Sequence, residues 1–69
     1  MKTIFDVQQL LKRYGVFVYI GNRVADLQVM ELELRDLYQS QLIELKEYQM
    51  ALLLLRRQIV IEKEKEQEK

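Results

Sequence analysis

Gly15-Val16-Phe17-Val18-Tyr19-Ile20-Gly21-Asn22 divides a chain of 69 residues that otherwise reads as helix. Its glycines are the two that the sequence contains, and there is no proline, so the chain carries a strong helical prior with two points of punctuation. Between them lie β-branched and aromatic residues, which favour an extended conformation. A single extended segment has no ladder to join. It either lies across helices as an apolar lid or pairs with a strand of another chain.

Upstream of Gly15, every local signal agrees on a first helix over about residues 4–14. Thr3 can cap it, with Asp6 three residues on as a variant of the capping box, and the acid suits the positive end of the helix dipole. Ile4, Val7, Leu10, Leu11 and Tyr14 repeat at helical spacing on one face. Lys12 and Arg13 complement the C-terminal dipole, and Gly15 supplies a left-handed stop.

Downstream of Gly21, Asn22 is the N-cap of a second helix over about residues 23–39. Val24, Leu27, Met30, Leu34, Leu37 and Tyr38 share its core face at 100° per residue. The apolar phase breaks at Gln41-Leu42-Ile43 and restarts after Glu44, with Glu47 three residues further, an imperfect start for a third helix over about residues 45–61. Its core face is Leu45, Tyr48, Ala51, Leu52, Leu55 and Ile59. Residues 62–69 are Glu, Lys and Gln alone, a charged tail that either prolongs the helix or frays. The expected fold is all-α: a three-helix bundle over residues 1–61, helices 2 and 3 forming an antiparallel hairpin, helix 1 laid across them through a short extended linker.

A domain of this size buries only about 60% of the surface of its unfolded chain, and such chains usually need a disulfide, a metal or a second subunit. With no cysteine and no histidine, the first two are without their usual ligands and oligomerisation remains. The N-terminus lacks the pattern of a signal peptide, and the longest apolar run, residues 50–55, is far short of the ~20 residues that span a bilayer. The expected setting is cytoplasmic, with no membrane association.

Removing the core face of helix 3 leaves Met50, Leu53, Leu54, Val60 and Ile61 on its other side, around Arg57. A helix apolar almost all round is buried on several sides, and a three-helix bundle covers only part of it. Some of these residues could lie under the 16–20 lid. The other reading is a self-association face: Met50, Leu54, Arg57 and Ile61 follow a/d spacing, and together with Leu53 they are the candidate contact residues of a homo-oligomer, with a dimer favoured.

No catalytic constellation is visible. Thr3 and Ser40 are the hydroxyls outside tyrosine, both at helix ends, and the acids lie on solvated helical faces. The expected protein is not an enzyme and holds no cofactor and no metal. Formal charge is zero but polarised: residues 1–25 carry four bases against one acid, residues 26–50 two bases against six acids. If the ends of helices 1 and 3 lie close, Lys12, Arg13, Arg23, Arg56 and Arg57 form a basic patch beside Phe17 and Tyr19. Cations beside aromatic rings suit single-stranded DNA or RNA, and that is the alternative function.

The run Phe5-Asp6-Val7-Gln8-Gln9-Leu10-Leu11-Lys12-Arg13-Tyr14-Gly15, followed by Val18-Tyr19 and later by Leu37-Tyr38-Gln39, resembles the YqgQ-like family of small uncharacterised Bacillota proteins over nearly the whole chain up to the tail. The resemblance implies a cytosolic three-helix bundle, with single-stranded nucleic-acid binding as a suggestion from shape and no catalytic residues to carry over. Residues 37–55 are also similar to the short helical hairpin SHOCT, which implies oligomerisation, although Gln41 stands where that module usually has glycine.

Overall fold

The computed structural model describes residues 1–67. It holds three helices, α1 (Ile4–Arg13), α2 (Arg23–Gln39) and α3 (Leu45–Gln67). Each begins and ends for a local reason. Thr3 is extended (φ −135°, ψ 167°) and its Oγ1 accepts from the Asp6 N–H at 3.4 Å. Asp6 Oδ2 in return accepts from the N–H groups of Thr3 (3.1 Å) and Lys2 (2.7 Å), which completes a capping box.

The same C-terminal motif closes α1 and α2. At α1, Gly15 takes φ +76°, its N–H donates to the Lys12 carbonyl and the Val16 N–H donates to the Leu11 carbonyl, both at 3.0 Å. At α2, Gln41 takes φ +64°, with Gln41 N–H to the Tyr38 carbonyl and Leu42 N–H to the Leu37 carbonyl, both at 2.9 Å. These paired bonds satisfy carbonyls that the helix itself leaves without donors. Asn22 opens α2, its Oδ1 accepting from the Ala25 N–H at 3.0 Å. Glu44 before α3 makes the reverse half of a capping box, its N–H donating to Glu47 Oε1 at 3.5 Å.

Helices α2 and α3 form an antiparallel hairpin, marked at three levels. Arg23 at the start of α2 meets Glu62 late in α3 (3.7 Å), Glu31 meets Arg56 (3.4 Å), and the Tyr38 and Tyr48 rings stack at 4.7 Å with 4° between their planes. Helix α1 runs antiparallel to α3 and rests mainly on it. Its end is held by Tyr14, whose hydroxyl donates to the Leu42 carbonyl at 2.9 Å, and its start lies beside Leu54, Arg57 and Ile61.

Val7, Leu10, Leu11, Leu27, Leu34 and Leu55 fill the centre with no more than a trace of exposure, joined by Met30, Leu37, Ile43 and Ala51. Burying such side chains supplies about 1.5–3 kcal/mol each relative to leaving them in water. Three residues depart from their expected places, the first being Tyr14, which follows the last residue of α1 and is exposed. Leu45 is half exposed, because the Tyr38–Tyr48 stack is the last layer between the helices and Leu45 stands before it in α3. Ile43, in the break between α2 and α3, is buried and closes the core at that end. Helix α3 also runs past residue 61 through the charged stretch to Gln67; the last two residues of the 62–69 tail lie outside the described residues.

Candidate interaction surfaces

Residues 16–20 cross the junction of α1 and α2. Val16 and Val18 turn inward and pack against the core, whereas Phe17 (74% exposed) and Tyr19 (91%) turn outward, the alternation of an extended chain over residues 16–19; Ile20 is exposed as well and ends it. The hollows along the segment are lined by Gln8, Leu11 and Lys12 of α1 and by Val29, Met30 and Glu33 of α2. The segment is therefore a lid over the α1–α2 seam, and none of those linings includes an α3 leucine.

Both ends of the lid are fastened. The Val16 N–H belongs to the α1 closing motif, and the Ile20 N–H donates to Asp26 Oδ1 at 2.6 Å. Asp26 is the buried polar side chain of the fold, and this bond gives its carboxylate a donor. Sequence reasoning missed this role. Between the fastened ends, the N–H groups of Phe17, Val18 and Tyr19 donate to no protein acceptor among the described residues.

The basic residues are distributed rather than gathered. Lys12 lines a hollow of about 390 Å³ with Phe17 and Tyr19. Arg13 faces a different one with Asp6 and Glu47. Arg23 is engaged by Glu62 and Arg56 by Glu31. Arg57 lies beside Lys2 and Phe5 at the start of α1. The end of α1 meets the start of α3, not its end, and so the seven candidate residues do not share one face.

The outward side of α3 is apolar and open. Met50, Leu53 (59% exposed), Val60 and Ile61 are exposed, while the fully buried residues of this 23-residue helix are Ala51 and Leu55. Leu54, half buried, lines with Arg57, Gln58 and Ile61 a groove of about 390 Å³ whose other wall is Ile4 and Phe5 of α1. Phe5 is 62% exposed and extends the patch. Sequence reasoning passed over it because it lies off the apolar stripe of α1.

Asp6 is held below the ordinary carboxylate value of 3.8, first by the backbone N–H of Lys2 and then by that of Thr3. Among the described residues, no group of three or more acidic side chains gathers as a metal site, and no helix is long and apolar enough to cross a membrane.

Fold and surfaces together define a small helical bundle whose distinguishing features are exposed faces on two sides, one along α3 and one along the 16–20 lid. The chain belongs to the YqgQ-like family, whose model matches residues 1–64. It is similar to the "Uncharacterized protein YqgQ" of Bacillus subtilis (strain 168), with 41% identity over 59 residues, 86% of this chain and 83% of that one.

Proposed function

We propose that this protein is a non-enzymatic interaction protein of the cytosol that pairs with a second copy of itself through the outward face of α3. The observation that supports this reading is the exposed row Met50, Leu53 and Ile61, continuous with Phe5 across the α1–α3 groove. Contiguous apolar surface of this kind on a small domain marks a contact site. Two α3 helices crossing antiparallel about a two-fold axis set Met50 beside the partner's Ile61 and Leu54 beside the partner's Arg57. The arginine stem can cover apolar surface there while its guanidinium stays in water. A dimer also supplies the second subunit that a cysteine-free chain of this size calls for.

Multi-angle light scattering over a concentration series tests it. The expected result is a mass that rises above the monomer with concentration for the wild type and a lower mass at every concentration, with unchanged helicity, for Leu53→Asp, an exposed position where the fold tolerates a charge. A wild type that stays monomeric throughout sinks the reading.

A second reading, single-stranded nucleic-acid binding, is supported by one grouping: the Lys12 ammonium beside the exposed rings of Phe17 and Tyr19. Filter binding to oligo-dT and oligo-U at low salt tests it, and Lys12→Ala should lower the salt slope by about one if the lysine meets a phosphate.

A further inference from the structure

Residues 16–20 read almost the same from either end: β-branched Val16, aromatic Phe17, β-branched Val18, aromatic Tyr19, β-branched Ile20. In an extended chain the N–H and C=O of one residue share an edge, and those of the next residue take the other. The Val16 and Ile20 N–H groups are spent within the molecule, on the Leu11 carbonyl and on Asp26 Oδ1. The edge of residues 16, 18 and 20 is therefore engaged at both its ends by the protein itself, with the Val18 N–H between them unbonded among the described residues. The opposite edge, that of Phe17 and Tyr19, has its N–H donors unused among the described residues.

The geometry points to self-pairing: segment 16–20 is an edge strand that pairs antiparallel with the same segment of a second copy, about a two-fold axis at Val18. Three observations select this occupant and this register. The free edge belongs to residues 17 and 19, so hydrogen-bonded pairs form where Phe17 meets the partner's Tyr19, each residue exchanging both its bonds, and the axis repeats the exchange. Phe17 and Tyr19 lie on the same outward face, so the register also stacks an aromatic on an aromatic, a favoured cross-strand pair. The segment carries no charge, so two copies meet without repulsion. A slip by one residue would oppose inward to outward side chains and lose the match.

This contact is separate from the α3 face. The lid borders α1 and α2, and the α3 groove borders the start of α1.

The natural chain has no cysteine, so thiols can be placed one at a time. Phe17→Cys and Tyr19→Cys change exposed side chains, and circular dichroism verifies the fold of each. Oxidised alone, each variant should cross-link little, because identical positions lie diagonally about 7–8 Å apart, beyond disulfide reach. Mixed in equal amounts, they should cross-link several-fold more, because position 17 then faces position 19 within reach. Leu32→Cys, exposed elsewhere, gives the collision background. Equal yields in the mixture and in the separate samples, or yields at background in all of them, overturn the proposal. The pattern should persist with Leu53→Asp added to both variants; its loss there would assign the cross-link to the α3 contact and overturn it likewise.

Discussion

The Tyr14 hydroxyl donates to the Leu42 carbonyl across 28 residues of sequence, tying the end of α1 to the turn between α2 and α3 at 2.9 Å. The bond adds a polar tie to the packing of Leu10 and Leu11 in the last turns of α1, just before Gly15 turns the chain into the lid. Tyr14→Phe keeps the ring and removes the donor. It should lower stability by about 0.5–1.5 kcal/mol in urea unfolding, at the lower end because Tyr14 is partly in water.

Gln41 and Gly15 hold equivalent positions in the two closing motifs, both at positive φ, and only one of them is a glycine. A side chain in the left-handed region costs about 1 kcal/mol, which glycine avoids while losing more freedom on folding. Gln41→Gly should therefore raise the thermal midpoint, by a net gain of about 0.5 kcal/mol. Gly15→Ala should lower it by about 1 kcal/mol, although a Cβ there would meet nothing within 4 Å, so the loss is one of backbone strain.

Asp26 anchors the far end of the lid through the Ile20 N–H. Asp26→Ala leaves that N–H without its acceptor and should cost about 1–3 kcal/mol. Asp26→Asn retains an acceptor oxygen and should cost less. Amide exchange at Ile20 reads the effect directly: much faster in the alanine variant, slightly faster in the asparagine one.

Asp6 contributes to the acid limb of the stability curve. Its folded carboxyl titrates below 3.8 because the Lys2 and Thr3 N–H groups prefer it charged. The stability it contributes is full above that ordinary value and is lost as pH falls through the lowered one. Asp6→Asn should therefore flatten the decline in thermal midpoint below pH 3.8, with little effect on the slope at neutral pH.

What could be read from the sequence was local. Thr3 with Asp6, Gly15 and Asn22 act within a few residues of themselves, and the structure places each where its signal pointed. Val24, Leu27, Met30, Leu34 and Leu37 declare the α2 core face by spacing alone, and all are buried. The features that escaped depend on what the chain meets after folding. Asp26 looks like one more acid in a first turn until the lid returns over it. Phe5 becomes part of a surface only when α1 lies against α3. The basic residues looked gatherable because sequence does not say which ends of α1 and α3 adjoin. Gln41 as a residue type hides its positive φ, since a glutamine there acts against its own preference and is held by the two bonds that close α2; the glycine usual at that position in the similar helical hairpin was the one pointer to it.

Glu62 Oε1 receives Arg23 of α2 at 3.7 Å, Lys65 of its own helix at 3.7 Å and the Gln58 amide at 2.9 Å. Beyond it, the residues of α3 through Gln67 are exposed and keep their shape by their own helical bonds. Melting that starts from the C-terminal end of α3 therefore runs freely for about one turn and halts at Glu62. Amide exchange along α3 should accordingly be fast beyond Glu62 and slow from Ile59 back, where the helix packs against the core.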